Sequence, residues 1–318
     1  MHWITEDNYE QTMADVVEPF LAQRRTQGFD ERVKGQPVYY EHYQSDDPKG
    51  VIVISHGFTE SIFKFTESVY YMLQAGYDVW GLDHRGHGRS WRENDNPYVV
   101  HASRFENYVL DLEHLIDWHV LPQSEELLLY LYCHSMGGCV GAWLIEKRPV
   151  LFRKAVLSSP MLGLSFGKIP VPVMYAAAKI KGIGDRKKEP MSPVLSFETA
   201  DFKNSCDSSR CRYEYYYQKR LRDPKLQTTS PSIGWGLEAV KACRRVTSRK
   251  QTTKICIPVL LFQAGADTVV RNDSQALFAH QIPSCRLQLI PDMKHELYMT
   301  NSAVLIPYWE SVFRFFSA

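Results

Sequence analysis

Ser135 lies in Cys133-His-Ser-Met-Gly-Gly138, directly after an apolar run, Leu127-Leu-Leu-Tyr-Leu131, that reads as a short buried strand. A strand that stops, turns sharply and starts a helix leaves one side chain standing above the sheet. Small residues around the serine let the backbone cross closely; Gly137 and Gly138 serve after it, and Cys133 stands where glycine is usual. A serine hydroxyl is a weak nucleophile at neutral pH and needs a base to take its proton. His295, in Met293-Lys-His-Glu296, follows the last strand-like run, Leu287-Gln-Leu-Ile290. A third group must hold the imidazole in the right tautomer. Asp267, in Gln263-Ala-Gly-Ala-Asp267, follows the run Val259-Leu-Leu-Phe262. The order serine, aspartate, histidine, each at the end of a strand, is expected to carry nucleophilic acyl transfer.

Other carboxylates compete for the third place. Asp111 and Asp117 sit on an amphipathic helix and read as solvated face residues, and Asp273 falls in a helix's first turn. Asp83 precedes His84-Arg-Gly-His-Gly and reads as an anchor for that turn; Asp292 ranks second to Asp267. A tetrahedral intermediate also needs preorganised donors for its oxyanion. The backbone N–H of Met136, at the start of a helix, is one expected donor. That of Phe58, in His56-Gly57-Phe58 after the strand Val51-Ile-Val-Ile54, is the other.

Positioning these groups calls for a largely parallel sheet flanked by helices, because short β-branched runs alternate with longer helical patterns. Strands are expected at 37–43, 51–54, 78–83, 127–131, 155–157, 259–262 and 287–290. Helices are expected near 5–21, 63–73 and 301–316, and another is opened by a capping box, Ser103-Arg-Phe-Glu106. Phe105, Val109, Leu112 and Ile116 then face the core. Between Met161 and Trp235 this rhythm breaks, and so long a stretch is unlike a structureless loop. The expected organisation is a core of residues 1–160 and 236–318 with a largely helical cap inserted at 161–235.

The composition fits a globular chain, with 44% hydrophobic residues and 37 Lys or Arg against 36 Asp or Glu. That balance gives no broad electrostatic case for nucleic acid. The opening residues lack a secretory pattern, and no apolar run is long enough to span a bilayer. Of seven cysteines, Cys133, Cys139, Cys256 and Cys285 read as small core residues. Cys206 and Cys211 are the pair weighed for a disulfide, but a reduced, cytoplasmic protein is the simpler expectation.

Taken together, Ser55-His-Gly-Phe58, Gly81-Leu-Asp-His-Arg-Gly-His-Gly-Arg-Ser90, His134-Ser-Met-Gly-Gly138, Gly265-Ala-Asp267 and His295 resemble the monoacylglycerol lipase and bacterial lysophospholipase branch of the α/β hydrolases. The likeness is nearest to Gram-negative lysophospholipases, through Ser103-Arg-Phe-Glu-Asn-Tyr108 and Ser159-Pro-Met161, and weakest in the cap. It implies an α/β-hydrolase fold and hydrolysis of a single acyl ester in lipids that keep a free hydroxyl. It implies no metal or organic cofactor.

The cap holds 13 Lys or Arg against 7 Asp or Glu, a local charge of +6 against −5 for the remainder. Such a surface would attract anionic membranes or phosphate head groups, and disfavour a substrate carrying only a free amine. Peripheral contact with the inner membrane is therefore expected beside a lipid or small-ester substrate. Ile169-Pro-Val-Pro-Val-Met-Tyr-Ala-Ala-Ala-Lys-Ile180 reads as a helix apolar nearly all round, either packed on the core or facing the cleft or lipid. Two other readings stay open: a general carboxylesterase or thioesterase for small soluble esters, and a catalytically silent lipid-binding protein.

Overall fold

The computed structural model describes residues 1–124, 126–194 and 200–318. Eight strands form one sheet: β1 Arg25–Asp30, β2 Val38–Tyr43, β3 Val51–Ser55, β4 Asp78–Leu82, β5 Leu129–His134, β6 Lys154–Ser158, β7 Val259–Ala264 and β8 Cys285–Ile290. Their spatial order is β1-β2-β4-β3-β5-β6-β7-β8, with β2 antiparallel to both its neighbours, β1 and β4, and every other neighbouring pair parallel. A parallel sheet covered on both faces needs strands apolar on both faces. Every residue of β3, β4, β5, β6 and β7 is buried.

Alternate residues divide the core. Val51, Val53, Leu129 and Leu131 face α2 Glu106–Leu115, α3 Met136–Lys147 and α6 Ile233–Val246. Ile52, Ile54, Tyr130 and Tyr132 face α1 Thr66–Gln74, α7 Ser302–Ser317 and the helical segment 9–22. The expected stripe Phe105, Val109, Leu112 and Ile116 is buried.

Between β6 and α6 the described chain contributes no strand to this sheet. It forms α4 Val171–Lys181, α5 Arg210–Arg222 and short turns, and Ser230–Pro231 pairs with Val99–Val100. Helix α5 is pinned by a buried guanidinium. Arg212 binds Glu67 in bidentate fashion (2.7 and 2.8 Å), Glu6 at 2.8 Å and the Ile4 carbonyl at 2.9 Å. This joins α5 to α1 and to the first residues of the chain. Helix α4 turns Met174, Tyr175 and Ala178 towards α6 and leaves Val173 and Ile180 exposed at 57% and 71%.

Four expectations need correction. The sheet has an extra edge strand, β1, whose Arg-Thr-Gln-Gly-Phe-Asp carries no apolar alternation because it is mostly exposed. The capping box does not form: the Ser103 amide donates to Glu93, Glu106 pairs with Arg104, and the helix starts at Glu106. Asp111 is buried, held by Arg85 at 2.6 Å and Arg32 at 2.8 Å, because both guanidinium groups reach over the helix. Cys256 is exposed; Cys133 and Cys139 are buried, Cys285 is half-buried, and Cys206 and Cys211 are unpaired thiols.

Candidate active site

Ser135 joins β5 to α3 with φ 51° and ψ −117°, a conformation that costs a non-glycine residue about 1–3 kcal/mol. The surrounding backbone holds it there. The Ser135 amide donates to the Ser158 carbonyl at 3.1 Å, and its own carbonyl accepts from Met161 at 2.8 Å. Gly137 is required by a close approach: a Cβ there would lie 2.0 Å from the Ser55 carbonyl oxygen. A Cβ on Gly138 would lie 2.5 Å from Pro160 Cβ. The cysteine at 133 fits because Gly141, two turns along α3, leaves its sulfur room; a Cβ on Gly141 would stand 2.4 Å from Sγ.

His295 leaves the β8 end and directs Nε2 to Ser135 Oγ at 2.7 Å. Its Nδ1 meets Asp267 Oδ2 at 2.6 Å, so Nδ1–H donates to the carboxylate and Nε2 accepts from the hydroxyl. The Asp267 side chain is fully buried, and its Oδ1 accepts from the amides of Val269 (2.8 Å) and Val270 (3.1 Å). Both oxygens are thus committed, and the carboxylate cannot swing away. Asp292 is exposed and makes no bond to His295. Asp83 anchors its turn as expected, accepting from Ile62 (2.8 Å) and Arg89 (2.9 Å).

The Met136 amide opens α3 and has no intrahelical acceptor. The Phe58 amide, in the loop after β3, has no acceptor among the described residues. Gly57 donates to Glu60 at 2.6 Å, and a Cβ there would sit 2.8 Å from that carboxylate and 3.0 Å from His134 Cδ2. The Phe58 ring packs on Trp235 at 4.3 Å. Behind this loop lie neutral imidazoles. His56 accepts the His84 amide at Nε2 (2.8 Å) and donates from Nδ1 to the Gly57 carbonyl (2.7 Å). Burial holds His56 down to about 4, and holds His84, His87 and His134 well below the ordinary range.

Beside the triad is a charged group that escapes the sequence reading. Lys64 Nζ lies 2.5 Å from Glu296, 3.5 Å from Glu60 and 3.9 Å from Asp207, all buried. Glu60 and Lys64 stand four residues apart and Glu296 adjoins His295, which was the available signal; nothing in the sequence marks the cluster as buried. Glu60, His134 and Glu296 could together hold a metal ion, but the Lys64 ammonium already supplies their cation. A cavity of about 290 Å³ adjoins, bordered by Thr59, Lys64, Asp207, Tyr216, Thr228 and Glu296. Among the described residues, the Tyr216 hydroxyl and Thr228 Oγ1 find no partner there.

The strand order, the turn at Ser135 and the helices on both faces define the α/β-hydrolase fold. The chain belongs to the family described as "Serine aminopeptidase, S33", whose model matches residues 46–301. It is similar to lysophospholipase L2 of Escherichia coli strain K12, 26% identical over 88% of this chain and 84% of that one. It is also similar to a monoacylglycerol lipase of Mycolicibacterium smegmatis, 32% identical over 84% of this chain and 88% of that one. A solved soluble variant of monoglyceride lipase from Saccharomyces cerevisiae shares the fold at TM-score 0.74 and 15% identity, covering 92% of this chain and 94% of that one. With this family and these relatives, the chain is a serine ester hydrolase.

Proposed function

We propose that this chain hydrolyses the acyl ester of lysophospholipids or monoacylglycerols through an acyl-enzyme on Ser135, and that residues 161–235 form a cap over the sheet's carboxyl edge. The observation that carries the mechanism is the continuous chain Ser135 Oγ to His295 Nε2 (2.7 Å), His295 Nδ1 to Asp267 Oδ2 (2.6 Å). His295 takes the hydroxyl proton as Oγ attacks the acyl carbon, and the carbonyl oxygen becomes an oxyanion facing the amides of Met136 and Phe58. Each such donor is worth roughly 10²–10³ in rate. The imidazolium, steadied by Asp267, then protonates the leaving alcohol as the ester C–O bond breaks. Water, deprotonated by His295, cleaves the acyl-serine, releasing the fatty acid and restoring the hydroxyl.

The lipid substrate follows the names of the relatives, and the surface agrees with it. Helix α4 and its flanks expose Ile169 (48%), Val173 (57%), Ile180 (71%) and Ile183 (72%). Lys168, Lys179, Lys181, Arg186, Lys187 and Lys188 are exposed on the same stretch. Apolar side chains ringed by lysines suit docking on an anionic bilayer, at about 1 kcal/mol per nearby cation. No described helix is long and apolar enough to cross a membrane. The contact proposed is peripheral, at the cytoplasmic face of the inner membrane. The adjoining cavity offers Asn204, Thr228 and Thr229 on its wall as hydrogen-bonding groups to a hydroxylated head group.

The test is a panel of lysophosphatidylcholine, lysophosphatidylethanolamine, monoacylglycerol and short p-nitrophenyl esters. Long-chain lipids are expected to give the higher kcat/KM. Preference for short soluble esters by orders of magnitude would overturn the lipid assignment.

A further inference from the structure

Three segments that carry the proposed machinery meet around one buried cation and its carboxylates. Glu60 ends the turn that presents Phe58: its Oε2 accepts the Gly57 amide at 2.6 Å, and its Oε1 lies 3.5 Å from Lys64 Nζ. Glu296 follows His295 directly and takes Lys64 at 2.5 Å. His134 precedes Ser135, with Nε2 3.7 Å from Glu60. The third carboxyl group around Lys64, that of Asp207, comes from the inserted segment, 3.9 Å from Nζ. The ammonium also lies over the rings of Tyr216 (5.0 Å) and Tyr298 (6.0 Å), and Tyr298 donates its hydroxyl to Glu60 at 2.6 Å.

We propose that Lys64 is a positioning residue: its ammonium ties the cap, through Asp207, to the base loop and the oxyanion loop, so that turnover depends on how the cap is seated. Three buried carboxyl groups cannot share a site uncompensated. Burial opposes the charge on Lys64, yet Glu296, Asp207 and Glu60 hold it well above the ordinary lysine range. Burial likewise opposes the charge on Glu296, yet Lys64 and the bond to Asp207 hold it down at about 2. Asp207 is raised well above the usual carboxyl range by burial and by Glu296. The stable arrangement is one ammonium on an ionised Glu296, with the Asp207 proton shared between cap and base loop. Backbone bonds run beside it, from Glu296 N to the Cys206 carbonyl (3.2 Å) and from Ser209 N to the Met299 carbonyl (3.1 Å). Those bonds fix the segments' proximity; Lys64 sets the angle at which the loops meet.

This inference rests on the roles assigned to Ser135 and His295, so the assay reports on them separately. The purified full chain is given p-nitrophenyl butyrate, a soluble ester whose turnover does not depend on a lipid head group, and active sites are counted with a fluorophosphonate. Lys64→Met is expected to lower kcat per titrated site tenfold or more, since sub-ångström displacement of catalytic loops is costly, with KM within threefold of wild type. Lys64→Arg, which keeps the charge, recovers part of that loss. Asp207→Leu, which removes the carboxyl but leaves the Lys64–Glu296 pair, lowers kcat two- to fivefold and costs nothing further in the Lys64→Met background. Unchanged kcat per site in Lys64→Met, or full multiplication of the two effects, overturns the proposal. Should Lys64→Met not fold, an unchanged kcat in Asp207→Leu overturns it alone. Absence of labelling in the wild type would instead remove the reading of Ser135.

Discussion

Replacing Gly141 by alanine tests whether the elbow around Ser135 is built as the packing indicates. The new Cβ would meet Cys133 Sγ at 2.4 Å, Leu131 Cδ2 at 3.2 Å and Cys133 Cβ at 3.4 Å. Overpacking of this kind costs about 1–3 kcal/mol. Alanine in a helix interior returns about 1 kcal/mol relative to glycine. The net expectation for Gly141→Ala is thus about 0–2 kcal/mol of destabilisation. Cys133→Gly removes the sulfur that causes the clash, at a cost of its own of roughly 1 kcal/mol for glycine in a strand. In that background the alanine methyl enters vacated space, and Gly141→Ala becomes stabilising by about 1 kcal/mol. The four proteins of the cycle are unfolded in urea, and the coupling energy should reach about 1–3 kcal/mol with a change of sign. Equal effects of Gly141→Ala in both backgrounds, within about 0.5 kcal/mol, would refute the argument that Gly141 makes room for Cys133.

Two other outcomes follow from the site. His56→Gln removes an imidazole that burial holds at about 4, against an ordinary value near 6.5; because the folded value is the lower, its stabilisation is full above about pH 6.5 and is lost as pH falls through about 4. Asp83, raised to about 7 by burial, contributes the opposite slope and is common to both proteins. The stability difference between wild type and variant should therefore shrink by about 3 kcal/mol between pH 7.5 and pH 4 in parallel denaturant titrations; a constant difference would mean that His56 is not held neutral. Asp267→Asn should lower kcat by roughly 10⁴ with little change in melting temperature, by analogy with loss of the carboxylate in other Ser-His-Asp sites, whereas Asp292→Asn should leave kcat within twofold; the reverse pattern in an ester assay would exchange their roles.

The residues proposed to do the chemistry were legible because each sits where a strong local pattern ends. Val51 to Ile54, Val259 to Phe262 and the run before Ser135 are apolar on both faces, and such runs mark parallel strands whose carboxyl ends hold active sites. Strand β1 was illegible for the opposite reason. It is an edge strand whose Arg25, Thr26, Gln27 and Phe29 are exposed, and backbone pairing with β2, not side-chain patterning, holds it in place. The burial of Asp111 and of Lys64 was hidden because each is charged and becomes buried only through partners distant in the chain, Arg32 and Arg85 for one, Asp207 and Glu296 for the other. Helix α4 was visible as a helix, but its exposed apolar side depends on where α6 packs. The exposure of Cys256 likewise depends on where a loop lies on the surface, which local composition does not encode.

Intact-protein mass spectrometry after treatment with a fluorophosphonate tests the central claim most directly. One adduct per chain, mapped to the peptide containing Ser135 and absent together with ester turnover in Ser135→Ala, is the expected result. An adduct on another residue, or ester hydrolysis that survives in Ser135→Ala, would contradict it.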